Sequence, residues 1–315
     1  MSGWWLLYPV LGACAGILAG LLGIGGGLVL VAALAWLLPL QGVPADAAMH
    51  AALASSMASI VLTAASSARS HHRRGSVLWP TVAWMVPGVL LGGWLGSRVA
   101  IGLDGDVLRW CVAVYCLVIA AQMLLSRNKA AGDPGLVPRG PGYSIAGGAI
   151  GALSALVGIG GGSMTVPLLV WRGVPPVRAV GTSSACGIFI GIGSALGYAL
   201  QAPAGALPLA HSVGYVYLPA AIGVAAASVL AAPYGTRLAH AISGDALKRV
   251  FALFMVIIAA FIGTKDIGQE IFRALTFNDA GKGLVLGLCV AFMGLTADKL
   301  ITAWSAERKS RLGLS

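Results

Sequence analysis

Charge is scarce in this 315-residue chain: Asp, Glu, Lys and Arg together make up 10% of it, and only 10 residues are acidic. A soluble domain of this size is about a quarter charged, because its surface has to be kept wet. A soluble globular fold is therefore excluded. No Asp or Glu falls at the centre of a long apolar run. Asp46, Asp104, Asp106 and Asp245 sit at expected helix ends, where capping accounts for them. Carriers of cations usually hold a carboxylate inside the membrane, so a cation substrate is disfavoured. The five cysteines (Cys14, Cys111, Cys116, Cys186 and Cys289) lie inside apolar runs without ligand spacing and read as buried thiols. Neither a metal nor a cofactor is expected, and no catalytic constellation points to an enzyme. The first apolar run has no Lys or Arg before it, which argues against a secretory signal and for a first membrane helix.

What the chain has in abundance is apolar sequence: 58% of its residues are hydrophobic and the mean hydropathy is +0.89. Runs of about 20 residues recur, enough to cross a hydrocarbon core of about 30 Å. They are continuous rather than alternating, which excludes a membrane β-barrel. Breakers divide the chain into segments at 4–22, 27–39, 48–68, 78–101, 107–125, 143–158, 162–172, 179–200, 213–235, 247–264 and 281–298. Segments 27–39 and 162–172 are too short to span, since 13 helical residues reach about 20 Å. The net charge of +10 is gathered in short loops, where it reports membrane orientation and not nucleic-acid binding.

The chain repeats itself. The pentapeptide GIGGG stands at 23–27 and again at 158–162. GVP recurs at 42–44 and 173–175, GSVLWP at 75–80 parallels GYVYLP at 214–219, GSRVA at 96–100 parallels GTRLA at 235–239, and GDVLR at 105–109 parallels GDALK at 244–248. Internal duplication is a common construction of secondary transporters. The expected organisation is a first transmembrane repeat over 1–126, a cytoplasmic linker over 127–142, a second repeat over 143–265, and an additional helix with a basic tail over 266–315. The basic loops RSHHRRG (69–75) and SRNK (126–129) fit the cytoplasm, whereas the loop equivalent to the first of them in the second half, 201–214, has no Lys or Arg. The two halves are therefore expected to be inverted in the membrane, with the N-terminus periplasmic and the C-terminus cytoplasmic.

Each GIGGG then becomes the tip of a hairpin that enters and leaves on one side. The fold class expected is an all-α polytopic membrane protein built as an inverted repeat of two halves. Each half has a glycine-tipped hairpin of short or broken helices plus three spanning helices, and one extra helix follows at the C-terminus. Non-helical backbone at membrane depth is tolerated only where protein or a cavity surrounds it. A short helix starting at each tip would aim its free N–H groups and positive dipole end into the protein centre, a ready anion site. Close helix packing is the plainer reading of glycine in such a chain, and Gly16, Gly20, Gly147 and Gly151 fit it. The helix after each hairpin carries hydroxyls near its start: Ser55, Ser56 and Ser59 in one half, Thr182, Ser183 and Ser184 in the other, with Ser163 and Thr165 following the second tip. Mid-helix serines often bond back to their own carbonyls; paired positions in a duplicated chain favour a shared polar cavity. His50 reads either as a cap on an outer helix end or as a proton relay.

The segments GILAGLLGIGGGLVLVAAL, HAALASSMASI, SSARSHHRRGSVLWP and GALSALVGIGGGSMTVPLLV, the last followed by GVPPVRAVGTSS, resemble the sulfite exporter TauE/SafE family, over about residues 8–263. The first-half motif reads Ala54-Ser55-Ser56 where the family has Thr-Ser, and the tail beyond about residue 267 exceeds the family's usual boundary. The resemblance implies a bacterial inner-membrane permease for sulfite, sulfoacetate or related organosulfonates. It points to Gly25, Gly26, Gly27, Ser55, Ser56, Gly160, Gly161, Gly162, Thr182 and Ser183 as substrate-binding positions, to which the residue chemistry adds Ser163. The implied partners are a small-molecule anion and membrane lipid, with a homodimer left open. A channel-like anion pore and an uptake permease remain alternatives to an exporter.

Overall fold

The computed structural model describes residues 7–22, 26–125, 135–241 and parts of 253–262. The expected span at 281–298, most of that at 247–264, and Gly25 lie outside the described residues. The described elements are α1 (Leu7–Leu22), α2 (Gly27–Leu40), α3 (Ala45–His72), α4 (Trp79–Ile101), α5 (Gly105–Leu125), α6 (Gly142–Val157), α7 (Gly162–Trp171), α8 (Pro176–Leu200), the two-residue strands β1 (Ser212–Val213) and β2 (Val216–Tyr217), and α9 (Leu218–Ala241). Five of them (α3, α4, α5, α8 and α9) are long and apolar enough to cross a membrane. Their outer faces carry large exposed apolar side chains such as Leu91, Val118, Leu200 and Leu230, as lipid contact requires. This is an all-α, multi-pass membrane protein.

Two boundaries differ from the sequence expectation. Helix α9 begins at Leu218 and not at 213, because β1 and β2 pair as a small antiparallel hairpin turned at Gly214, whose φ is +56°. Pro219 then falls in the first turn of α9, where its missing N–H costs nothing. Helix α3 runs from Ala45 to His72, well past the apolar stretch 48–68. Hydrogen bonding continues through Arg69 and His71 regardless of polarity, and the chain breaks only at Gly75, with φ +67°.

Helices α3 and α8 pack against each other and are the most deeply buried of the five, while α4, α5 and α9 bury one face. Around this pair the halves exchange partners: α1 packs on α9, and α6 packs on α4. Small residues bring the backbones together. A Cβ on Gly16 would fall 2.4 Å from the Ser228 carbonyl oxygen, and one on Gly151 would fall 2.5 Å from that of Val89. Gly12 meets Val224 as Gly147 meets Met85, and Gly235 meets Ile17 as Gly96 meets Ala152. These contacts recur at two fixed spacings: 147 − 12 gives 135 residues for the hairpin helices, and 224 − 85 gives 139 for the helices beneath them.

The equivalent helices α4 and α9 run in opposite directions. Helix α4 starts beside the C-terminal end of α3 and reaches His50 at Ala100, whose carbonyl lies 3.2 Å from the imidazole. Helix α9 starts beside Ser55 and ends with His240 next to His71.

Candidate anion site at the two glycine turns

Both hairpins reverse on glycine because the backbone there is left-handed. Gly26, which precedes α2, has φ +69°; Gly158, which ends α6, has φ +78°; Gly161, which precedes α7, has φ +75°. An L side chain held in that region costs about 1–2 kcal/mol per residue. The two turns meet inside the protein. A Cβ on Gly27 would lie 2.2 Å from the Gly158 carbonyl oxygen, so no other residue fits between them. Ser56 bridges the pair, its hydroxyl donating to the Gly27 carbonyl at 3.1 Å with the Gly158 carbonyl at 3.3 Å. On the other side, a Cβ at Gly187 of α8 would stand 3.0 Å from the Gly160 carbonyl oxygen. Ser56 and Gly187 lie near the midpoints of α3 and α8, so the turns sit at mid-depth in the helix pair.

Helix α2 has 14 residues and α7 has 10, and both begin at this junction. Each therefore directs the unpaired N–H groups of its first turn and its positive dipole end at the protein centre. Around the second turn hydroxyls stand among apolar side chains such as Ile150, Ile190, Val31 and Leu53. Thr165 and Ser154 are fully buried and their hydroxyl oxygens have no hydrogen-bond partner, although a buried hydroxyl left unpaired costs about 1–3 kcal/mol. Ser154 lies beside Gly161, where a Cβ would be 3.5 Å from Oγ, and Thr165 is one helical turn into α7, its N–H donating to the Gly161 carbonyl at 2.8 Å. Ser163 shares a 2.5 Å hydrogen bond with the hydroxyl of Tyr115 on α5. The described carboxylates, Asp46, Asp104 and Asp106, lie at or just before the starts of α3 and α5, away from the turns. Oriented N–H groups, unpaired hydroxyls and distant carboxylates together make an environment suited to a small oxyanion.

The other positions singled out from sequence fall into distinct places. Gly26, Gly27, Ser56, Gly160, Gly161, Gly162 and Ser163 gather at the junction. Ser183 is fully buried one residue beyond Thr182, at the α8 position that matches Ser56. Ser55 and Thr182 face neighbouring helices instead. Ser55 Oγ accepts the Tyr217 N–H at 2.9 Å, just before α9, and Thr182 Oγ1 accepts the Leu78 N–H at 3.0 Å, just before α4. Thr182 also donates to the Arg178 carbonyl at 2.7 Å. His50 stands at one end of α3, with Nε2 at 2.9 Å from the Leu103 carbonyl and its ring stacked on Tyr215 at 5.0 Å. Burial and the Asp46 carboxylate push the Tyr215 phenol above its ordinary range, so it stays neutral.

Neither Ser154 nor Tyr115 is among the positions that the sequence singled out. A signal for Ser154 existed, since it sits one helical turn before Gly158 and the first half has Ala19 there. Nothing in the sequence connects Tyr115 with Ser163.

The family model described as sulfite exporter TauE/SafE matches residues 8–262. A probable membrane transporter protein of Haemophilus influenzae is 36% identical over 256 residues, which is 81% of this chain and 96% of that protein. A probable membrane transporter protein of Methanocaldococcus jannaschii is 24% identical over 264 residues, covering 82% of this chain and 96% of its own length. A trimethylamine N-oxide transport system permease protein of Ruegeria pomeroyi is 58% identical over 66 residues, which is 21% of this chain and 10% of that protein. No solved structure matches.

Proposed function

The chain belongs to the sulfite exporter TauE/SafE family and is a membrane transporter, and from that premise we propose that it exports a small sulfur oxyanion across the bacterial inner membrane. Sulfite or an organosulfonate is the substrate, moved by alternating access with the two glycine turns clamping it. The observation that carries this reading is the meeting of both turns at mid-depth beside the unpartnered hydroxyls of Ser154 and Thr165. An oxyanion has several acceptor oxygens and matches donors of this kind. The opposed directions of α4 and α9 support an inverted repeat, and such repeats place the substrate at their interface.

Orientation follows from the basic residues. Arg69, Arg73 and Arg74 lie at the end of α3 where His240 of α9 also arrives, and that end faces the cytoplasm. The N-terminus is then periplasmic and the C-terminus cytoplasmic. A negative-inside potential assists export by about 2.3 kcal/mol per 100 mV for each net negative charge moved.

The test is thermal stabilisation of the detergent-solubilised chain by sulfite, thiosulfate, sulfoacetate, taurine and sulfate. At least one sulfur oxyanion should raise the melting temperature, and Thr165→Val should reduce the shift by an amount that matches an affinity about tenfold weaker. Stabilisation by none of them would remove the basis for the site.

A further inference from the structure

One face of α3 runs from the glycine turns to the basic end and is polar at every turn: Ser56, Ser59, Thr63, Ser67 and His71, all buried. It spans about 22 Å at the helical rise. Neighbouring elements add Ser228, which hydrogen-bonds Thr63, and Ser184, whose hydroxyl is 3.0 Å from that of Ser67. The matching residues of α8 are Ser183, Cys186, Ile190, Ser194 and Tyr198, each 127 further along, as 183 − 56 gives. Only the first half keeps the stripe unbroken.

The last matched pair is informative. Tyr198 donates its hydroxyl proton to the Ala155 carbonyl at 2.9 Å, and His71 Nε2 lies 3.2 Å from the Gly20 carbonyl, the same position in the other half. That contact requires the N–H of a neutral His71 to be on Nε2, which leaves Nδ1 as a bare acceptor. Nδ1 is buried and has no hydrogen-bond partner. A tyrosine meets the same structural need without an orphaned nitrogen, so the helix contact alone does not account for a histidine.

The surroundings define what would fill that nitrogen. His240 of α9 lies 5.4 Å away, ring centre to ring centre, and both of its ring nitrogens have partners. Its Nδ1 faces the Thr236 carbonyl at 2.8 Å and its Nε2 faces the Ser76 hydroxyl at 3.1 Å. The charged and titratable groups that act on His71 are this His240 and Arg74 of the turn after α3; α1 presents the Gly20 carbonyl, and α8 presents Gly181. Both groups are positive when charged, so an imidazolium at His71 needs a negative partner. An anion moving along this polar stripe would be such a partner.

We propose that His71 Nδ1 is a proton-binding site that fills when the transported anion occupies the adjoining path, so that one proton travels with each anion. This inference rests on the reading of the chain as an anion transporter. The experiment uses the full chain in liposomes holding a pH-sensitive dye, with labelled sulfoacetate as the probe. A gradient of one pH unit should change the steady-state sulfoacetate ratio about tenfold, the thermodynamic equivalent of one coupled proton. In His71→Tyr, which copies Tyr198 and keeps the carbonyl contact, sulfoacetate should still move but the ratio should not respond to pH. His71→Gln is the second variant, and a melting curve confirms that each is folded. Sulfoacetate movement without proton movement in the wild-type chain would overturn the proton site and leave the transport reading standing. Coupling retained in both His71 variants, or abolished by His50→Gln instead, would also overturn it. If the wild-type chain neither moves nor is stabilised by any sulfur oxyanion, the transport reading fails and the proton site falls with it.

Discussion

The two glycine turns are alike in backbone and unlike in side chains. Left-handed glycines start α2 and α7 in the same way, yet Ser154, Ser163 and Thr165 of the second turn correspond to Ala19, Leu28 and Leu30 of the first. The larger helices are divided the other way: α3 carries the unbroken polar stripe, and α8 interrupts its own with Cys186 and Ile190. Duplication thus supplied the geometry twice, while the chemistry is split between the halves. Under the proposed function, the hydroxyls of the second half bind the anion and the polar stripe of the first half leads away from it.

The largest effect is expected where the turns touch. Gly27→Leu would place Cβ against the Gly158 carbonyl, and neither backbone can yield, so transport should be lost and the melting temperature should fall by many degrees. Gly42→Ala is the contrast: φ is +94° but the space around it is open, so the cost should stay near the backbone strain of about 1–2 kcal/mol. Equal damage from both would remove the meeting of the turns as the special feature.

Thr165→Val tests the side-chain difference. It removes a buried, unpartnered hydroxyl at constant volume, so stability should hold or rise while anion affinity falls by about tenfold, or about 1.4 kcal/mol. An unchanged dissociation constant in isothermal titration would place the anion elsewhere. Ser56→Ala should be milder, costing about 1 kcal/mol in chemical denaturation as both turns lose their shared donor. An effect of the same size is expected for Ser55→Ala and Thr182→Val. Each deletes one acceptor for a backbone N–H at a helix start, and the two losses of about 1 kcal/mol should match. Clearly unequal losses would break the equivalence of the halves at these positions.

Much of the architecture was legible in the residues. The doubled GIGGG and the short apolar segments identified the hairpins, since three glycines in a row cannot serve a spanning helix, and the structure brings Gly27 and Gly158 into contact. The β1–β2 hairpin was not legible, because Val213, Tyr215, Val216 and Tyr217 extend an apolar run without a break in composition. Roles within the hydroxyl cluster were hidden for a different reason. Adjacent residues of a helix face different neighbours, so Ser55 ties down the approach to α9 while Ser56 reaches the turns. Back-bonding also disguised the polar stripe: Ser59 and Thr63 do donate to the carbonyls of Ser56 and Ser59, as solitary mid-helix hydroxyls would.

The most direct test of the central claim is the flux of labelled sulfite through liposomes containing the purified chain, measured against unlabelled sulfite and alongside electrical recording. A transporter that closes two turns around one anion at a time should show saturable uptake, acceleration by sulfite on the opposite side, and no single-channel current. Ohmic current with flux that never saturates would contradict it.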